Sequence, residues 1–246
     1  MQRYFVDKST IDYQSKNVVL SGNDAYHIRV VMRMKINDLI YLCDNEKSYI
    51  GKITDINEEQ VTAILIEELD SNPELDIEVT IAHGLVCREK KEDTVQKITQ
   101  LGAVKYIPVQ MKKSVVKIIK EKEQKQTERL QKIAKEASEQ SHRIKELEVV
   151  NPILFNELLK LKDSYDVCLY ASTVEDSSSV TFKKIIKDTN IKKILILVGP
   201  EAGIDKSEIE LLNGWIPISL GPRILRTEVA PLYIMSAISY ERELGE

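Results

Sequence analysis

Beyond residue 78 the chain settles into one repeating rhythm, and nothing else in the sequence narrows its fold as much. The apolar, strand-sized runs "VTIAHGLV" (79–86), "KYIPVQ" (105–110), "DVCLYA" (166–171), "ILILV" (194–198) and "IPISL" (216–220) alternate with helical segments. Those segments cover about Glu89–Leu101, Glu123–Glu146, Ile153–Leu161, Ser179–Asp188, Lys206–Leu212 and Glu228–Glu243. Strands that are apolar nearly throughout and separated by helices pack as a largely parallel sheet covered on its faces. In the long middle segment Leu130, Ile133, Ala134, Ala137 and Ile144 recur at helical spacing, which predicts one buried face, with Lys and Arg on much of the rest.

The rhythm before residue 67 is different. Short β-type runs, "RYFV" (3–6), "NVVL" (17–20), "DLIYLCD" (38–44), "SYIGKITDI" (48–56) and "VTAILIEE" (61–68), are joined by tight polar turns such as "DNEK" (44–47). One helical piece, "NDAYHIRVVMRM" (23–34), interrupts them, with Asn23 or Asp24 as the expected N-cap. This predicts a small barrel or curled sheet. Between the two regions, "EELDSNPELDIE" (67–78) combines a proline and turn formers with six acidic residues and no Lys or Arg. It reads as a boundary, giving domains over 1–70 and 71–246.

Several function classes lose support at once. No apolar run reaches membrane-spanning length, and "MQRYFVDKST" lacks the apolar core of a signal peptide, so a cytoplasmic protein is expected. Cys43, Cys87 and Cys168 are odd in number and widely spaced, which argues for reduced thiols. His27, His83 and His142 are equally scattered, so a metal site has little support. The formal charge of −4 does not suggest a nucleic-acid binder, yet residues 105–146 hold twelve Lys/Arg against six Asp/Glu. Such a basic region attracts phosphate locally, because screening hides more distant acidic charge.

Parallel sheets bind ligands beyond the carboxyl ends of their strands, and two of those ends carry unusual loops. In "LVGPEAGIDKSE" (197–208) Gly199 and Gly203 allow close backbone approach, and Asp205 with Glu208 forms a capping box. Gly203 is followed by Ile204-Asp205-Lys206-Ser207, which is not the Walker spacing, and no strand is followed by G-x-G-x-x-G. Glu201 and Asp205 would repel phosphate, so a ligand bearing positive charge suits this loop better. In "SLGPRILRTEVAP" (219–231) Arg223, Arg226, Thr227 and Glu228 cluster between a strand end and the last helix.

These pieces closely resemble the RsmE-type ribosomal RNA methyltransferases of the SPOUT superfamily. The resemblance rests on "QKITQLGAVKYIPV" (96–109), "SVVK" (114–117), "EASEQSHR" (136–143), "LVGPEAG" (197–203) and "SLGPRILRTEVAP" (219–231), with "RYFV" and "HIRVVMRMKINDLIYLCD" (27–44) near the start. It runs from about residue 2 to the C-terminus. Ala202 stands where the family usually has a second glycine, and "MKKS" (111–114) replaces a more usual Thr-Glu-Arg-Ser.

The resemblance implies a C-terminal α/β domain with a deep trefoil knot, of which periodicity and composition carry no sign, and an N-terminal PUA-like β-barrel that helps bind RNA. It implies a homodimer, S-adenosyl-L-methionine as methyl donor, and methylation at N3 of a uridine in the 16S ribosomal RNA of the small subunit. Ribose 2′-O-methylation, another base position and a non-catalytic RNA-binding assembly factor are the rival functions. The donor would lie against Leu169, Tyr170 and Ala171, against Leu197, Val198, Gly199, Pro200, Glu201 and Gly203, and against Ser219, Leu220, Gly221, Ile224, Leu225 and Arg226. Leu197, Leu220, Ile224 and Leu225 are the expected walls around adenine. Arg226 or Arg223 would stabilise the developing uridine anion, and Glu228 would orient that arginine or accept the N3 proton. Arg3, Arg29, Arg33 and Lys35, with Lys112, Lys113, Lys117 and Arg143, are the candidate RNA contacts.

Overall fold

The structure, a computed structural model, describes residues 1–172 and 179–245. The chain divides into two compact units, Met1–Glu74 with Ser138–Glu146, and Leu75–Ala137 with Leu147–Glu246.

The first unit is built on strands β1 (Arg3–Phe5), β2 (Ile11–Asp12), β3 (Asn17–Ser21), β4 (Leu39–Cys43), β5 (Ser48–Ile56) and β6 (Gln60–Leu69). They form one sheet in the order β1-β4-β5-β6-β3-β2, antiparallel except for the β1–β4 pair. Alternation along the strands turns Val18, Leu20, Ile40, Leu42, Val61 and Ala63 inward, where Ile28 joins them. Strand β5 slips register against β6 at Ile50/Gly51 and again at Ile53/Asp55. Such bulges bend and twist a strand, which supplies the curl.

Helix α1 covers only Gly22–Tyr26 before passing into a π-helical turn over His27–Val31. Its N-cap is Ser21, without a side-chain capping bond, and not Asn23 or Asp24.

The second unit carries β7 (Glu78–Gly84), β8 (Lys105–Gln110), β9 (Glu148–Val149), β10 (Ile153–Leu154), β11 (Val167–Ala171), β12 (Lys193–Val198) and β13 (Ile216–Ile218). Its helices are α2 (Arg88–Gln100), α3 (Lys120–Gln140), α4 (Phe155–Leu159), α5 (Ser179–Lys187), α6 (Lys206–Ile209) and α7 (Ala230–Ser239). The strand order is β10-β8-β7-β12-β11-β13, with β9 also on β8, and every pairing is parallel. All carboxyl ends therefore lie along one edge. Val79, Ile81, Ile194 and Ile196 face one core, shared with α2, α3, α5 and α7, while Ala82, Leu195 and Leu197 face another with Phe155, Leu158 and Trp215.

The middle helix departs from expectation at its end. Leu130, Ala134 and Ala137 are buried as predicted, but the helix stops at Gln140 instead of reaching Glu146. His142 takes a left-handed backbone, φ 60°, which turns the chain. Ile144 consequently packs with Phe5 and Cys43 in the first unit and not on the helix face.

Candidate active site

The edge formed by the carboxyl ends of β7, β12, β11 and β13 gathers the polar groups. Strand β12 runs out at Val198, and the next turn closes with the Gly203 N–H donating to the Pro200 carbonyl at 2.8 Å. The α6 capping box follows: Asp205 accepts from the Ser207 N–H at 3.1 Å, and Glu208 Oε2 accepts from the Asp205 N–H at 3.3 Å. Glu208 Oε1 also accepts from the Lys112 N–H at 2.9 Å, fastening the segment after β8 to the same turn.

The two glycines of this turn serve different ends. A Cβ on Gly199 would lie 2.9 Å from the Ile204 side chain and 3.1 Å from its backbone nitrogen, so its bareness lets the turn fold on itself. At Gly203, φ 73°, a Cβ would meet nothing within 4 Å. Gly221 in the turn after β13, φ 100°, is equally open. Backbone at both Gly203 and Gly221 thus faces open space.

Strand β11 lies between β12 and β13, and the Ser172 N–H donates to the Ile218 carbonyl at 2.9 Å. Leu169 and Leu197 are wholly buried in the two cores, so their backbone alone can meet a ligand. That corrects the expectation of Leu197 as a wall. Leu220 and Leu225 are half-buried against the first core, and Ile224 is 87% exposed. Val198 and Pro200 are buried, Tyr170, Ala171, Gly199, Ser219 and Gly221 half-buried, and Glu201 exposed.

Arg223 and Arg226 are both exposed at this edge. The Arg226 carbonyl accepts from the Val229 and Ala230 N–H groups at 2.9 and 3.0 Å, which starts α7. Glu228 is half-buried, and its Oε2 is sealed from solvent without a hydrogen-bond partner among the described residues. Lys90 of α2 stands between the two turns, its Nζ 3.0 Å from Glu201 Oε1 and 3.6 Å from Glu228 Oε2. Burial alone would raise the Glu201 carboxyl, but hydrogen bonds from its own backbone and from Lys90 outweigh that and hold it below its ordinary value. The negative charge read from the sequence at Glu201 is therefore already partnered.

Beneath the turns lies a chain of hydrogen bonds that the sequence reading missed. His83, wholly buried at the end of β7, has Nδ1 3.0 Å from the Tyr106 hydroxyl and Nε2 2.8 Å from Thr227 Oγ1. Thr227 Oγ1 donates at 2.6 Å to the Gly199 carbonyl. The signal was present: a histidine inside the otherwise apolar "VTIAHGLV" needs a polar partner.

The proposed RNA contacts separate into two kinds. Arg3 is buried; it donates to the Arg143 carbonyl at 2.9 Å and to Cys43 Sγ at 3.1 Å, and lies 5.2 Å over the Tyr41 ring. Arg143 is buried too, gripping Glu74 at 2.6 Å. Both guanidinium groups are engaged inside the first unit and are withdrawn as RNA contacts. Arg33, Lys35, Lys112, Lys113 and Lys117 are exposed, and Arg29 is half-buried. Exposed Tyr26, Val31 and Ile36 interleave with Arg29, Arg33 and Lys35.

Comparison with known proteins agrees with this arrangement. An RNA methyltransferase domain model matches residues 73–239, and an RNA methyltransferase PUA domain model matches 20–66. Ribosomal RNA small subunit methyltransferase E of Bacillus subtilis is 38% identical over 99% of this chain and 98% of its own length. Its counterpart from Rickettsia conorii is 29% identical, covering 96% and 93%. The crystal structure of Ribosomal RNA small subunit methyltransferase E from Neisseria gonorrhoeae, bound to S-adenosyl methionine, superposes with a TM-score of 0.84 at 26% identity, covering 97% of this chain and 96% of that one.

Proposed function

The chain belongs to the RsmE family of ribosomal RNA small-subunit methyltransferases, and on that premise we propose that it methylates N3 of a uridine in the 16S RNA, using S-adenosylmethionine. The observation that carries this reading is the meeting of two open turns, 199–203 and 219–228, at the carboxyl edge of a parallel sheet. The donor set fits the cofactor. Open space at Gly203 and Gly221 lets a purine edge approach the backbone, half-buried Leu220 and Leu225 offer apolar contact, and the carboxylates of Glu201 and Glu228, both paired with Lys90, leave the loop compatible with a cationic ligand.

S-adenosylmethionine supplies an already activated methyl group, so this chain's residues supply position and electrostatics. Backbone of Val198–Glu201 and Ser219–Gly221, with Tyr170 and Ala171 between them, would hold it. Uridine N3 becomes nucleophilic only as its proton leaves, and the base must be unpaired or turned out of its stack. Arg226, with Arg223 beside it, carries positive charge to the O2 or O4 where negative charge develops. Glu228 orients that arginine or takes the N3 proton.

Arg29, Arg33 and Lys35 of the first unit, and Lys112, Lys113 and Lys117 of the second, would contact RNA backbone. The first unit, whose N-terminal part runs to Glu74, close to the boundary expected at residue 70, would serve RNA binding. The exposed apolar stripe Val229, Tyr233, Tyr240 and Leu244 along α7 and its extension supports a homodimer, which sedimentation would test. No helix among the described residues is long and apolar enough to cross a membrane, and a ribosomal substrate points to the cytoplasm. The decisive experiment is methylation of small subunits lacking the modification, followed by mass-spectrometric mapping. Methyl transfer to one uridine N3 is expected; transfer to a ribose, or none, would overturn the reading.

A further inference from the structure

We propose that His83, Tyr106 and Thr227 act together as a positioning relay, pinning the turn that carries Arg226 and Glu228 onto the turn at Gly199. The inference rests on the function proposed above, because it assigns a task within that site.

Donors and acceptors along the relay admit only one assignment. The Gly199 carbonyl can only accept, so the single Thr227 hydroxyl proton points to it over 2.6 Å. Thr227 Oγ1 must then accept from His83 Nε2–H at 2.8 Å. In a neutral imidazole that leaves Nδ1 as the acceptor, and the Tyr106 hydroxyl donates to it over 3.0 Å. Burial favours this neutral form, pushing the imidazole down to about 4 from its ordinary 6.5. Every bond therefore points one way, from β8 through β7 to the 227 turn and on to β12.

Register explains the placement. His83 pairs with Val198 on one side and Pro108 on the other, next to the residue at which the β12 chain leaves the sheet. The relay grips Thr227 itself, between the two residues proposed to work on the base. A displacement of about 1 Å in such groups can cost on the order of a hundredfold in rate. His83 and Tyr106 touch neither substrate nor cofactor in this scheme; they act through Thr227.

Thr227→Val keeps the shape and removes the hydroxyl, whereas Thr227→Ser keeps it. Calorimetric affinity for S-adenosylmethionine, kcat on small subunits and melting temperature would be compared in the full-length protein. The valine variant should lose about tenfold or more in kcat, with weaker cofactor binding and a fold that still melts cooperatively. The serine variant should recover most of both. Equal behaviour of the two variants, or a valine variant that binds and turns over like the parent, would overturn the relay. Should the valine variant not fold, nitrogen NMR of His83 in the parent protein decides: a proton on Nε2 at neutral pH supports the relay, and one on Nδ1 refutes it. A parent protein that methylates nothing and binds no S-adenosylmethionine would instead refute the function, while the tautomer would still report on the relay.

Discussion

Two places in this molecule bring arginine and glutamate together, and they have opposite characters. In the first unit Glu74 and Arg143 close on each other at 2.6 Å with side chains 6% and 4% exposed, and Glu74 Oε1 also accepts from the Ile144 and Lys145 N–H groups at 2.9 and 3.1 Å. At the sheet edge of the second unit Arg223 and Arg226 stand in solvent, and Glu228 keeps a buried oxygen without a hydrogen bond. Charges that complete each other hold the chain together. Arg223 and Arg226, left in solvent beside an open turn while Lys90 pairs with Glu228, are available to a ligand.

The largest effect expected from breaking this contrast lies at the completed pair. Arg143→Ala leaves Glu74 buried without its partner, and loss of one member of a buried pair costs about 3–5 kcal/mol. Chemical denaturation should show a loss of that order, while protein that remains folded keeps its affinity for RNA. An RNA-affinity loss with unchanged stability would put Arg143 back among the RNA contacts.

Arg226→Ala should do the reverse. Removing one group that stabilises developing charge typically costs 10²–10³-fold, or about 2.7–4 kcal/mol. Stability should stay within about 0.5 kcal/mol, because the side chain is exposed. Methylation at the parental rate with RNA bound would remove Arg226 from the chemistry.

A third effect follows from His83. Its folded imidazole titrates near 4 and an unfolded one near 6.5, so on acidification the unfolded chain takes up the proton first. Stability is therefore full above about pH 6.5 and declines towards pH 4, by an amount on the order of 3 kcal/mol. His83→Gln should flatten that part of the stability–pH curve; an unchanged slope would place the titration elsewhere.

The same contrast explains what could be read from the sequence. Strands "SYIGKITDI" and "KYIPVQ" match their observed limits, because alternation in one and an unbroken apolar run in the other are local patterns. The Asp205–Glu208 box lies three residues apart and was equally legible. The helix overrun to Glu146 came from a left-handed residue, His142, that carries no glycine signature. Arg3 and Arg143 look like RNA contacts in the sequence because an arginine is written the same way whether the fold encloses it, as the Arg143 carbonyl does Arg3 and Glu74 does Arg143, or solvent does. The role of His83 is not legible locally, because its partners lie 23 and 144 residues away, a distance over which no periodicity operates.

The smallest effect concerns the basic residues that remain candidates. Arg29, Arg33 and Lys35 sit among exposed Tyr26, Val31 and Ile36; Arg29 lies on the π-helical turn His27–Val31, and left-handed Arg33, φ 52°, and Lys35 follow it. Arg29 makes one 3.3 Å bond to the Asn57 carbonyl, an acceptor too weak to neutralise its charge. If these side chains meet phosphates, each removal should lower the salt slope of RNA binding by about 0.7–0.9, and the triple alanine variant by about 2–3. KM for the small subunit should rise a few-fold at physiological salt, with kcat and stability unchanged, since the three would contact RNA backbone and not the reacting base. An unaltered slope would leave RNA tracking to Lys112, Lys113 and Lys117, and open charge in the first unit would then be mere solvation, as enclosed charge is mere architecture.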